Sequence, residues 1–132
     1  MRIRSEATDW GVWLTAVAGC LSAAVAVAAS DDRHVASAGE LVELCTVAES
    51  DPDHGAARGF CYGYLDAALD YHGALTAGAA FKPIACPHPE VTRAEVLTVF
   101  VDWAEANPGE LDVAPVEGVM RAVSLEWQCP DQ

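Results

Sequence analysis

From Ser37 onward, apolar residues recur at three- and four-residue steps in four separate runs, each bounded by turn chemistry, and no stretch alternates for long enough to predict a strand. The first run opens on Ser37-Ala38-Gly39-Glu40, a capping box in which the Ser37 hydroxyl takes an early backbone N–H while Glu40 reaches back to the Ser37 amide. Leu41, Leu44, Cys45 and Ala48 then line one face until Ser50-Asp51-Pro52-Asp53-His54-Gly55 breaks the pattern. A second helix is predicted from about Ala56 to about Thr76, with Cys61, Leu65, Ala68, His72 and Leu75 on one arc, Tyr64 and Tyr71 flanking it, and Asp66 and Asp70 opposite. Gly63, Ala67 and Ala74 form a third, narrow stripe. Small residues at helical spacing let another backbone come close, so this helix is expected to be central and touched on two sides. Thr92-Arg93-Ala94-Glu95 is a second capping box, followed by Val96, Val99, Phe100 and Trp103, and that helix should stop before Asn107-Pro108-Gly109. The last begins near Pro115, carries Val116, Val119, Met120, Val123 and Trp127, and is closed by Cys129-Pro130. The expected fold is all-α: a small bundle of four main helices with short connections.

The chain ahead of these runs has a different character. Arg2 and Arg4 precede about twenty uncharged residues from Trp10 to Ser30, rich in Ala and Val, which is the pattern of a secretory signal peptide. Small residues at Ala26-Val27-Ala28 and Ala28-Ala29-Ser30 offer cleavage sites. Residues 1–30 are therefore expected to be a signal peptide and residues 31–132 the mature domain, exported to the periplasm. Two alternatives stay open at this stage: lipidation of Cys20 in Val17-Ala18-Gly19-Cys20, and an uncleaved stretch spanning the bilayer. Membrane attachment follows only under these two.

Export changes the reading of the cysteines. Four lie beyond Ser30, namely Cys45, Cys61, Cys86 and Cys129, and an even number in a small exported domain predicts a disulfide framework with three connectivities. Their successive separations of 16, 25 and 43 contain no close pair of the kind that structural zinc sites use. Short loops make neighbouring helices antiparallel, which puts Cys45 and Cys61 at one end of the bundle and Cys86 and Cys129 at the other. The expected pairs are Cys45 with Cys61 and Cys86 with Cys129.

Charge narrows the partners. Beyond Ser30 there are eighteen Asp and Glu against five Lys and Arg, a net charge of −13. That argues against a nucleic-acid backbone and against an anionic membrane surface, and suits a basic partner. No residue set in the sequence has the spacing of catalytic machinery. Cys61 and His72 are eleven residues apart on one helix, about 16 Å along its axis, too far for a thiol and its base. Asp66 and Asp70 lack a third ligand at matching spacing, and Asp51-x-Asp53-x-Gly55 lacks the closing Glu of a calcium loop. His34, His54, His72 and His88 read as surface or boundary residues. No phosphate-cradling glycine loop, nucleophile elbow or H-E-x-x-H occurs. The expectation is a non-enzyme with no cofactor and no metal.

One connection stands out. Glu105 to Val113 sets Leu111 and Val113 between acids in what should be an exposed loop, and Glu105, Asn107, Glu110, Leu111 and Asp112 are the candidate partner-binding residues. The alternative is that Leu111 folds back onto the bundle.

The run Cys61-x-Gly63-Tyr64-Leu65, then Asp70, Cys86-x-x-Pro89, Val91-Thr92, an amphipathic helix ending in Asn107-Pro108 and a last helix ending in Cys129-Pro130 resembles the Rap/Tai family of immunity proteins, over about Leu41 to Cys129. The chain departs from that pattern at Ala67, where the family often has a second glycine, and at Gln128, where proline is common. The resemblance implies a small periplasmic, disulfide-bonded helical protein, often a dimer. It also implies binding and neutralisation of a peptidoglycan-cutting amidase delivered by a type VI secretion system. The Glu105–Val113 loop would then block the toxin's active-site cleft. The rival reading is a small periplasmic stress or chaperone-like helical protein without a cognate toxin, in which acid loosens a dimer and exposes apolar surface.

Overall fold

The computed structural model describes residues 34–130. Among them are four helices, α1 (Ala38–Cys45), α2 (His54–Thr76), α3 (Arg93–Ala106) and α4 (Pro115–Glu126), with a single 3-10 turn at Pro108–Glu110 and no strand. The signal peptide, its cleavage sites and Cys20 fall outside the described residues. Among the described residues no helix is long and apolar enough to cross a membrane.

Local chemistry starts each helix. At α1 the Ser37 hydroxyl accepts the Glu40 N–H at 3.2 Å, as predicted, but the Glu40 carboxylate takes the N–H of Ala36 at 2.7 Å and not that of Ser37. The return bond is thus made one residue earlier than a strict capping box requires. The helix ends at Cys45, where the Thr46 hydroxyl turns back to the Val42 carbonyl. At α3 the box is complete: Thr92 Oγ1 accepts the Glu95 N–H, and Glu95 Oε2 accepts both the N–H and the hydroxyl of Thr92 at 2.7 and 2.8 Å. Those bonds favour the ionised carboxyl and hold Glu95 below its ordinary range. Pro115 opens α4 from the first turn, where its missing N–H costs nothing.

The buried faces meet in one core. Phe100, Leu41, Leu65, Val119, Val123 and Cys61 are its largest fully buried side chains. The short α1 packs against all three longer helices. It comes closest to α4 at Gly118, where a Cβ would stand 2.6 Å from the Ala38 Cβ and 3.2 Å from the Trp103 ring. Only glycine fits that crossing. Phe100 and Trp103 stack on one face of α3 at 6.3 Å between ring centroids.

Two disulfides fasten this core, Cys45–Cys61 between α1 and α2 and Cys86–Cys129 between the 77–92 connection and the end of α4. By loop-closure entropy, links of 16 and 43 residues contribute about 3 and about 4 kcal/mol, a large share of a small domain's stability. The 77–92 connection is tied down twice more. The Cys86 N–H donates to the Trp127 carbonyl at 2.8 Å and the Ile84 N–H to His72 Nε2 at 3.1 Å.

The faces differ from expectation in three places. Val116 is exposed because the first turn of α4 buries Pro115, Gly118 and Val119 instead. On α3, Leu97 is buried and Val99 only half so. On α2 the arc Cys61, Leu65, Ala68 does face the core, but Gly63, Ala67 and Ala74 are exposed, and nothing lies within 4 Å of where a Gly63 Cβ would stand. The helix is touched from more than one side, by α1, α3 and α4, but among the described residues these contacts do not fall on the Gly63 position.

Candidate partner-binding surface

The connection between α3 and α4 is built by main chain more than by side chains. α3 stops at Ala106 because Pro108 disfavours helical geometry in Asn107. The Asn107 side-chain amide then donates to the Trp103 carbonyl at 2.7 Å, satisfying one of the orphan acceptors at the helix end. The Glu110 N–H closes the 3-10 turn on the Asn107 carbonyl. Beyond it the carbonyls of Leu111 and Val113 accept the N–H groups of Gly39 and Ala38 at 3.0 and 2.9 Å. These are first-turn donors of α1, which no intrahelical acceptor can reach. The approach is close at Gly39, where a Cβ would stand 3.4 Å from the Leu111 Cβ, at the edge of ordinary contact.

Side chains divide into those turned inward and those presented. Asn107 and Leu111 are half-buried and hold the turn in place. Glu110 is exposed and ion-paired with Arg121, which also meets Glu117 at 2.6 Å; the two carboxylates raise the Arg121 guanidinium above its ordinary range. Glu105 and Asp112 are exposed and make no ion pair among the described residues. Four of the five candidates, Asn107, Glu110, Leu111 and Asp112, lie on a turn anchored to three helices, whereas Glu105, expected in the loop, is in the last turn of α3 beside it. Such a turn can present carboxylates without first having to become ordered, which lowers the entropic cost of binding.

A furrow continues from this turn along the outer side of α3 and α4. It consists of two adjoining hollows of about 340 and 460 Å³ that share Thr98, Val99 and Glu126, one reaching to Trp127 and the other to Trp103 and Asn107. A separate apolar surface runs down α2, where Phe60, Tyr71 and Leu75 are exposed beside Val116 of α4. Tyr64 is partly buried at that boundary; burial raises its phenol above the ordinary range, against a weaker opposing bond from the Val116 backbone.

Other candidate chemistry is structurally committed. Asp66 is paired with Arg93 at 2.7 Å, and Asp51 accepts the Asp53 N–H within its own turn. Among the described residues no group of three His, Cys, Asp or Glu is placed to hold a metal ion. His54 Nδ1 bonds the Val47 carbonyl and His72 accepts from Ile84. Sequence reasoning missed the furrow, whose signal was present as Val99 and Trp127 at the edges of their apolar arcs. It also missed the docking of α1 on the turn, which uses backbone groups that every residue carries.

A family model described as Rap1a immunity proteins matches residues 37–129, from the cap of α1 to the last cysteine. Comparison with curated proteins and with solved structures finds no match.

Proposed function

The chain belongs to the Rap1a immunity proteins, and on that premise we propose that it is a periplasmic, non-catalytic inhibitor of a peptidoglycan amidase delivered by type VI secretion. The family match is the observation that carries this reading. Two disulfides support an oxidising compartment such as the periplasm, and the signal pattern of residues 1–30 supports export and cleavage. The inhibitory element is the Glu105–Val113 turn, inserted into the amidase's cleft with Glu105 and Asp112 meeting basic groups there. Its anchoring to α1 and α3 supports the role, because a plug that is already ordered binds at lower cost.

The test is calorimetry between the mature protein and the purified product of each gene flanking its own, the one that binds being taken as the neighbouring effector, together with peptidoglycan cleavage by that product. Stoichiometric binding that abolishes cleavage is expected. Glu105→Lys with Asp112→Lys should weaken binding about tenfold and leave stability within about 0.5 kcal/mol. Full survival of a strain lacking this protein under attack by the effector would remove the reading.

A homodimer through α2 belongs to the same proposal. Phe60, Tyr64, Ala67, Tyr71 and Ala74 are spaced by four, three, four and three residues, the seam spacing of paired helices, on a face whose one charge is Asp70. Sedimentation of the mature protein should give twice the chain mass.

A further inference from the structure

The furrow between α3 and α4 has a floor and a rim of opposite character. Val99, Trp103 and Trp127 form an apolar floor, and Leu125, 63% exposed, stands on the lip. The rim carries Glu95, Asp102 and Glu126 with His88 at one end, and among the described residues no Lys or Arg lines either hollow. Glu95 stays ionised because Thr92 holds it. Asp102 and Glu126 make no ion pair among the described residues, so their charge is uncompensated. From Ala94 to Ala106 the furrow follows α3 for about 18 Å, room for about three turns of a docked helix. At its far end it runs into Asn107 and hence into the acidic turn.

We infer that this furrow is a docking groove for a basic segment of the effector with one apolar face, whose Lys or Arg side chains meet the rim while its apolar residues cover Val99, Leu125 and Trp127. The inference rests on the effector-binding reading above and extends the contact from the turn to the side of the bundle. An apolar stripe laid in a groove between helices is a common mode of segment recognition, and the acidic rim selects the sign of the flanking charges. An Arg or Lys stem also packs well on an indole face such as that of Trp127. A second copy of this chain is a poor occupant, since at −13 it would bring acids against acids.

The experiment measures Kd by calorimetry for the neighbouring effector gene's product against the mature protein, at low and at physiological salt. Asp102→Lys with Glu126→Lys should weaken binding at least about tenfold and flatten its salt dependence. Leu125→Arg should weaken it by a similar factor. The control Glu43→Lys with Glu49→Lys makes the same change in net charge on exposed positions away from the furrow and should leave Kd within about twofold. If wild type binds tightly and the rim and lip variants bind as well as it does, the groove is overturned and the turn alone carries recognition. An equal loss in the control reduces the effect to bulk charge and also overturns it. Should the Leu125→Arg variant halve the sedimenting mass without changing effector affinity, the furrow is a contact between copies. If wild type does not bind at all, the effector-binding reading falls and takes this inference with it.

Discussion

The outer face of α2 and the furrow between α3 and α4 are both apolar surfaces that the bundle leaves open, yet their charge differs sharply. Along α2 the exposed arc from Phe60 to Ala74 carries Asp70 alone, whereas the furrow is rimmed by Glu95, Asp102 and Glu126 and ends at the acidic turn. In a chain of net charge −13 that contrast assigns partners. Two copies repel through any charged surface, so a neutral face suits self-association, while an uncompensated acidic rim favours something basic. Exposed apolar area alone would not separate the two; the charge around it does.

The largest effects should come from changes that break both surfaces together. Phe100→Ala empties the centre of the shared core and should lower stability by about 3–5 kcal/mol, read from urea denaturation. A loss below about 1 kcal/mol would mean that the helices are held mainly by their disulfides. Replacing Cys86 and Cys129 by Ser should cost about 4 kcal/mol and divide the surfaces, because that bridge fastens the loop beside Trp127 and leaves α2 tied to α1 by Cys45–Cys61. Effector binding should weaken more than dimerisation; the reverse order would unseat the assignment. Ala67→Glu sets a charge in the middle of the neutral face and should weaken dimerisation at least about tenfold, with helix content unchanged. Retention of the dimer mass in sedimentation would show that α2 is not the seam.

The smallest effect lies at the start of α3, next to the furrow. Thr92→Ala removes the cap and should cost about 1 kcal/mol. Glu95 has a folded pKa below its unfolded value. Its contribution is therefore complete above the ordinary carboxylate range and is lost as pH falls through the lowered folded value. Protection factors of the first-turn α3 amides, corrected for the pH dependence of intrinsic exchange, should fall on acidification in wild type and be already low and less pH-dependent in Thr92→Ala.

Much of the fold was legible because its signals are local. The Thr92-x-x-Glu95 box, Pro115 in a first turn and Asn107-Pro108 at a helix end each state a boundary in neighbouring residues, and antiparallel neighbours gave the two disulfide pairs found in the structure. The α2 helix is central, as its pattern predicts, but among the described residues its small stripe is not where the other helices touch it, since periodicity reports that a face is apolar and not what covers it. Gly118 was overlooked because its reason is the Ala38 Cβ, eighty residues away in the chain. At the candidate turn the acids were visible, but the inward use of Asn107 and the docking of α1 on the Leu111 and Val113 carbonyls were not, because backbone acceptors leave no mark in the sequence. Type VI immunity itself was legible only through the ordered set of motifs over the mature domain.

The most direct measurement is the rate of peptidoglycan cleavage by the neighbouring effector's product as the mature protein is titrated in. The account predicts a linear fall to zero at one protein chain per effector chain, with no cleavage by the protein alone. Undiminished cleavage at several-fold excess, or turnover of peptidoglycan by the protein itself, would contradict it.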